Sequence, residues 1–154
     1  MTHIKLKPWK GDNYEQIPQG KKLLILGDSH YCAKDKNRND ACRSKGDCSY
    51  DCMNDCCYKM THNLIRDEYL EFRSGRKKSE GYLQTILTFE KNLFGYTPSP
   101  QESINLWNSV IFYNYIQHSQ YKPRSRRKTK AEEVDDYKEA FKEVLAKYQP
   151  DYII

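Results

Sequence analysis

The sequence predicts an α/β protein, a three-layer sandwich with a central, mainly parallel sheet. Two runs, 23–26 and 110–116, are rich in aliphatic, β-branched and aromatic residues, which is typical of buried core strands. Segments with helical periodicity lie between these runs and after the second, as expected when crossover helices join parallel strands. A chain of 154 residues can bury the core of one domain, so we expect a single α/β domain over residues 1–154.

The regions that flank the first strand are predicted to be irregular. Residues 1–20 show no sustained hydrophobic periodicity, so we expect an arm that leads into the strand 23–26. The polar segment after the strand has too few apolar residues to form a core of its own. All six cysteines belong to this segment, and we expect a Cys-rich insertion at about residues 32–59.

Two helices are predicted between the core strands. The first covers residues 60–72, and its apolar residues follow the helical spacing only weakly. The second covers about 82–94, with Ser79 as its N-cap and Gly95 where the helix ends. The apolar stripe of this second helix has one polar member, Glu90.

The second core strand is predicted after a break in the chain. Pro98 and Pro100 interrupt the helical pattern, and we expect one further turn over residues 102–107. The strand 110–116 follows directly, and its β-branched and aromatic content favours a position in the core of the sheet.

The best helix of the chain is predicted close to its end. Thr129 and Glu132 have the spacing of a capping box, and apolar residues then recur at helical spacing up to Tyr148. Pro150 ends this helix, and residues 151–154 predict the beginning of a third strand. Because that strand begins at the last residues, we expect the sequence to be a fragment or a natural truncation.

The composition limits the class of protein. No apolar run approaches the roughly 20 residues that span a bilayer, and the amino terminus lacks the apolar segment of a signal peptide. We therefore expect a cytoplasmic protein with no membrane partner. The formal net charge of +5 mildly favours a polyanionic partner.

The functional site is predicted at the end of the first strand. Gly27 ends the strand where the backbone must turn, and Asp28, Ser29, His30 and Tyr31 follow it. In open α/β sheets ligands bind at the carboxyl ends of the strands, so these side chains are candidates for catalysis and ligand binding. The alternative is that Asp28 and Ser29 only satisfy the backbone donors of the turn.

The stretch 23–31 resembles the first motif of the uracil-DNA glycosylase superfamily, in which a buried strand ends in Gly before an acidic or amide residue and a turn. In the branch written Gly-Glu-Ala-Pro-Gly, the second position is the water-activating carboxylate, and Asp28 matches it. In the branch written Gly-Gln-Asp-Pro-Tyr, the third position is the catalytic Asp and the fifth a Tyr beside the base pocket. Ser29 and Tyr31 stand at those two positions, and His30 replaces the proline of the turn.

The strand 110–116 resembles the strand of that superfamily that carries a base-recognising Asn, which falls on Asn114. An amide suits this task because it offers both a donor and an acceptor to the edge of a base. Together with the ending 150–154, these stretches are similar to uncharacterised bacterial proteins grouped with the superfamily, and the similarity covers most of the chain. The superfamily's second motif, a His-containing loop, is absent from the sequence, and His30 or His118 could stand in for it.

The resemblance implies a uracil-DNA glycosylase-like fold. If the chain is truncated, its central sheet would be incomplete. It implies a protein that excises a nucleobase from DNA, or that binds a nucleobase or nucleotide with what remains of such a site. The DNA could be single-stranded. Asp28 would activate water, Tyr31 would pack against the flipped base, Asn114 would recognise its edge, and Ser29 and His30 complete the candidate catalytic set.

A basic run in the second half of the chain is a candidate phosphate-binding loop. Six of the nine residues in 122–130 are Lys or Arg, which is typical of a loop that contacts a nucleic-acid backbone. An ordinary solvated loop is an equally good interpretation. The candidate phosphate ligands are Lys122, Arg124, Arg126, Arg127 and Lys128.

Four of the cysteines are candidate metal ligands. Four thiolates can hold a zinc ion tetrahedrally, or an iron–sulfur cluster. The paired Cys-x-x-Cys signature is missing, so unligated thiols are the other interpretation, and no cofactor is certain. The four candidates are Cys42, Cys48, Cys52 and Cys56.

Two other classes of function fit parts of the sequence. Gly27, Asp28 and Ser29 after a strand also resemble the first block of SGNH-type esterases, in which the Ser is the nucleophile, although the downstream Asp-x-x-His pair of that family is missing. The third class is a non-enzymatic module, stapled by metal, that binds nucleic acid or protein through the Cys-rich segment and the basic loop.

Overall fold

In a computed structural model of the protein, the described residues are 2–16, 20–31, 60–117, 119–120 and 131–154. They form a mixed α/β fold with a four-stranded mixed sheet and four helices. The strands are β1 (Trp9–Lys10), β2 (Leu23–Gly27), β3 (His30–Tyr31), β4 (Val110–Asn114), β5 (Ser119–Gln120) and β6 (Tyr152–Ile153).

The helices follow the chain between and after these strands. Helix α1 is one continuous run made of Met60–Asn63, a π-helical part Leu64–Leu70, and Glu71–Arg73. Single 3-10 turns lie at Tyr14–Gln16 and Gly81–Leu83. The remaining helices are α2 (Gln84–Phe94), α3 (Pro100–Asn108) and α4 (Ala131–Tyr148).

The main sheet has the strand order β1-β4-β2-β6. Strand β2 pairs in parallel with β4 on one side and with β6 on the other, while β1 pairs antiparallel with β4. The prediction of a central, mainly parallel sheet is therefore confirmed. Strands β3 and β5 form a separate parallel pair.

Helices cover both faces of the sheet because the core strands carry apolar residues at successive positions. In β2, Ile25 packs into a core with residues of α1, α2 and α3, whereas Leu24 packs into a second core with residues of α4. In β4, Val110 packs into the first of these cores and Ile111 into the second. Alternation along each strand therefore produces two apolar layers from one sheet.

The prediction of an irregular amino-terminal arm is wrong at its centre. Trp9 and Lys10 form the antiparallel edge strand β1, opposite Phe112 and Ile111 of β4. The Trp9 side chain is buried, and its Nε1 donates a hydrogen bond to the carbonyl oxygen of Trp107 at 2.8 Å. A strand of two residues is too short to produce a periodic pattern, so hydrophobic periodicity could not reveal it.

Two helix starts differ from the predictions. Ser79 is not a cap, because a 3-10 turn precedes α2 and Leu83 occupies its N-cap position. Helix α3 begins at Pro100 rather than at 102, since Ser99 and Glu102 form a capping box. The predicted end of α2 is confirmed, because Gly95 adopts the left-handed conformation that glycine tolerates, with φ of 75°.

The later elements agree with the predictions over the residues described. Strand β4 is two residues shorter than the predicted 110–116, and α4 extends to Tyr148 as expected. The predicted third strand is β6, in which Tyr152 and Ile153 pair with β2. Among the described residues, no helix combines the length and the apolar character needed to cross a membrane. The predicted capping residue Thr129 lies outside them.

Candidate functional site

The register of the two central strands brings the predicted site residues together. Gly27 is the last residue of β2, and it lies opposite Asn114, the last residue of β4. The chain continues the pairing beyond the sheet: the Tyr115 backbone N–H donates to the Gly27 carbonyl, and the Ile116 N–H donates to the Asp28 carbonyl, both at 2.9 Å. The two strand ends therefore form one continuous edge.

The Asn114 side chain is buried at this edge. Only 3% of its surface is exposed, and alternation places it on the face of β4 that packs against α1, α2 and α3. Its Oδ1 occupies the position that a Cβ on Gly27 would need, so only glycine fits opposite it. Its Nδ2 has no hydrogen-bond partner among the described residues, although a buried donor left unpaired costs about 1–3 kcal/mol.

Asp28 and Ser29 lie at the open side of the same edge. The Asp28 carboxylate is exposed, and the Ser29 hydroxyl donates a hydrogen bond to its Oδ2 at 3.2 Å. Because the carboxylate is exposed, solvent can reach it. The Ser29 hydroxyl is therefore hydrogen-bonded to the Asp28 carboxylate and helps to orient it.

The chain segments that leave the two strands remain paired beyond the edge. The backbone of His30 lies opposite Ser119, and that of Tyr31 lies opposite Gln120, in the parallel pair β3–β5. The loop predicted to carry the site therefore runs beside the segment that follows Asn114. His118, the other predicted substitute for the missing motif, lies outside the described residues.

Gln117 supports this edge and was missed by the sequence analysis. Its side chain is 2% exposed, and its Oε1 accepts hydrogen bonds from the backbone N–H groups of Lys5 and Leu6, each at 3.0 Å. Its Nε2 donates to the Asn114 carbonyl. Gln117 therefore ties the amino-terminal segment to the end of β4. A glutamine after a strand carries no local signal of such long-range contacts.

His62 is a second residue that the sequence analysis missed. It lies near the start of α1, and its ring centroid is 5.1 Å from that of Trp9 in an edge-on arrangement. Burial lowers the pKa of the imidazole, and the positive charges of Arg66 and Lys7 lower it further. The side chain is therefore predominantly neutral at pH 7.

The two other predicted sets of ligands cannot be placed. The basic residues Lys122, Arg124, Arg126, Arg127 and Lys128 lie outside the described residues, as do Cys42, Cys48, Cys52 and Cys56. Within the residues that are described, no three or more His, Cys, Asp and Glu side chains are grouped as a metal would require. The phosphate and metal assignments stay predictions.

The fold and the site together define a mixed α/β protein with a candidate site at the carboxyl edge of its two central parallel strands. The position agrees with the general location of ligand sites in open α/β sheets. No protein-family model, curated protein or solved structure matches this chain.

Proposed function

We propose that this protein binds a nucleobase of DNA at the edge formed by Gly27 and Asn114, and that it hydrolyses the glycosidic bond of that base. The observation that carries the proposal is the buried Asn114 carboxamide, whose Nδ2 has no partner in the described part of the chain. A donor held in a dry position is satisfied when a ligand brings an acceptor to it.

A pyrimidine such as uracil supplies that acceptor through a ring carbonyl. Enzymes that act on bases take them out of the stack and recognise the exposed edge by hydrogen bonds. The resemblance of 23–31 and of the strand with Asn114 to the uracil-DNA glycosylase superfamily supports the same assignment. The proposed fold is the uracil-DNA glycosylase type, and the mixed α/β sheet with adjacent β2 and β4 is compatible with it.

Asp28 is the proposed general base. Its exposed carboxylate takes a proton from a water molecule as the water oxygen bonds to C1′ of the sugar. The bond between C1′ and the base nitrogen breaks, and the base departs with the electron pair. Ser29 donates to Oδ2 of Asp28, so we assign it an orienting role.

DNA is the proposed partner rather than a free base. The net charge of +5 favours a polyanion, and the basic run Lys122–Lys130 in the sequence is the proposed contact with phosphates. This part of the proposal predicts that affinity for DNA falls steeply as salt is added, because each phosphate contact releases counterions.

The experiment uses the full chain and a labelled single strand that contains one uracil. We expect the protein to bind the uracil strand more tightly than the same strand with thymine. We also expect it to convert the uracil position to an alkali-labile abasic site. Asn114→Ala weakens binding by about tenfold, the value of one hydrogen bond. Asp28→Asn keeps the binding and slows excision by at least about a hundredfold.

Asn105→Ala is the matched control, because Asn105 is exposed on α3 and its variant should match the wild type. Binding without excision would retain the recognition role of Asn114 and reject the hydrolysis. If the wild type neither cuts the uracil strand nor distinguishes it from the thymine strand, both parts of the proposal are wrong.

A further inference from the structure

Lys7 lies beside the candidate edge, on the segment that leads into β1. Strand β1 runs antiparallel to β4, and Trp9 stands opposite Phe112, so the chain before Trp9 runs along β4 toward its carboxyl end. One residue before Lys7, the Leu6 backbone N–H donates to Gln117 Oε1 at 3.0 Å. The backbone of Lys7 is held between these two attachments and therefore passes the carboxyl end of β4.

Strand alternation places Lys7 on the same face of the sheet as the Asn114 side chain. A residue before proline favours extended backbone, so Lys7, which precedes Pro8, continues the direction of β1. Side chains two positions apart in an extended chain share a face, and Trp9 packs into the core that the sheet forms with α1, α2 and α3. Asn114 alternates onto that face as well, in phase with residues 110 and 112 of β4.

His62 lies over the same part of the sheet. It belongs to the first turn of α1, Met60–Asn63, which packs against β1 and β4. Its ring meets that of Trp9 edge-on, with 5.1 Å between the centroids, and the side chain is half-buried, so solvent reaches it. Burial, followed by the charges of Arg66 and Lys7, lowers the pKa of this imidazole, so the Lys7 charge acts on the ring.

The positive charge around His62 is not fully balanced. Arg66 is paired, because its Nε and Nη2 donate to the Asp67 carboxylate at 2.5 and 3.0 Å. The charges of Asp67 and Asp12 raise the pKa of the imidazole, but burial and the two cations outweigh them. Lys7, by contrast, is exposed and makes no ion pair with any residue of the described ranges. A free ammonium group and an accessible imidazole are together suited to the oxygens of a phosphate group.

We propose that Lys7 and His62 bind a phosphate group of the DNA strand, next to the base held at Asn114. Lys7 supplies the positive charge, and His62 donates an N–H, which the neutral imidazole retains. Because β4 lies between β1 and β2, the order along the edge is Lys7, Asn114 and Asp28, with about 4.8 Å between neighbouring strands. These side chains can therefore contact one nucleotide and an adjoining phosphate. The identity of this anion rests on the proposed function, and the contact is separate from the basic run 122–130.

The first experiment uses inorganic phosphate and the full chain, so it does not depend on a base. The NMR signals of the His62 ring are followed while phosphate replaces chloride at constant ionic strength. We expect a saturable shift and a higher His62 pKa with phosphate bound, because a neighbouring anion favours the imidazolium. Lys7→Gln should weaken phosphate binding by about fivefold, the upper value for an exposed ion pair. Lys10→Gln is the matched control, since Lys10 Nζ is already paired with Glu15 at 3.0 Å, and it should respond like the wild type.

The second experiment measures how binding of the uracil and thymine strands depends on salt. Lys7→Gln should weaken binding to both strands by the same factor and reduce the slope of log K against log salt by about 0.7, the value of one phosphate contact on a single strand. A His62 signal that phosphate does not move, or a salt slope that Lys7→Gln leaves unchanged, overturns the phosphate contact and leaves base recognition intact. If phosphate binds through Lys7 but the protein does not distinguish uracil from thymine, the phosphate contact is supported and the proposed base recognition is wrong.

Discussion

Asn114 Oδ1 lies where a side chain on Gly27 would begin, so the last residues of the two central strands fit together only because one of them is glycine. The ring of Phe112 borders the same position, with its Cε2 3.0 Å from where that Cβ would stand. The orientation of the buried amide is therefore set by the backbone of the neighbouring strand.

Gly27→Ala should displace the Asn114 carboxamide. The added methyl group cannot coexist with Oδ1, and overpacking of this kind costs about 1–3 kcal/mol of unfolding free energy. We expect lower stability by chemical denaturation and a changed Asn114 side-chain amide signal in NMR spectra. Gly81→Ala is the control, since a Cβ there meets nothing within 4 Å and should leave both measurements as in the wild type.

Ser99→Ala should destabilise the protein by about 1 kcal/mol, the usual value of an N-cap. The Ser99 hydroxyl accepts from the Glu102 N–H, and the Glu102 side chain accepts from the Ser99 N–H at 2.7 Å. Thermal or chemical denaturation measures the loss. Ser79→Ala serves as the comparison because Ser79 caps no helix. Equal losses from the two variants would contradict the cap assignment.

Glu90→Gln should destabilise the helical layer by about 1–3 kcal/mol. The new amide NH₂ group must face either Trp107, whose indole N–H then loses its acceptor, or Ser103, whose hydroxyl must then accept instead of donate, and either arrangement disturbs a charge-assisted pair. Chemical denaturation gives the change in free energy, and the Trp107 indole N–H signal reports the lost bond. Glu80→Gln is exposed and should have no effect. If Glu90→Gln left the free energy of unfolding unchanged, these hydrogen bonds would contribute little to stability.

The protein should become less stable as the pH is lowered, in part because of His62. Burial and then Arg66 lower the pKa of this imidazole in the folded state, so the unfolded chain binds the proton first as pH falls. The contribution is complete above about pH 6.5, the unfolded value, and is lost between that pH and the lower folded pKa. His62→Gln should flatten the stability profile in this window, measured by denaturation at successive pH values.

The predictable parts of the fold are those encoded by long local patterns. The continuous apolar runs of β2 and β4 and the periodic apolar stripe of α4 are long enough to be recognised locally, and all three elements are present. Strand β1 has two residues and depends on pairing with β4, so no local pattern contains it. Ser99 and Glu102 have the spacing of a capping box, but Pro98 and Pro100 beside them predict only a break, so the start of α3 is not predicted at Pro100.

The candidate site could be predicted by position but not by contact. The sequence predicts Gly27 as the end of a core strand, whereas Asn114 follows only from the resemblance and lies inside the predicted strand 110–116. The structure ends β4 at Asn114, and parallel pairing places the ends of β2 and β4 at one edge. Which residues face each other depends on strand register, which the sequence alone did not specify. Glu90 was recognised as a polar exception in an apolar stripe, yet Ser103 and Trp107 belong to another helix and were not connected with it.

The Gln117 side chain makes the amino-terminal segment part of the architecture around Asn114. The backbone of Lys5 and Leu6 holds one end of that carboxamide, and the Asn114 carbonyl holds the other. Thr2 and His3 anchor the same segment to Glu143 of α4. Trimming the first six residues, or fusing a tag that pulls on them, would therefore leave the buried Gln117 Oε1 without its donors, next to Asn114.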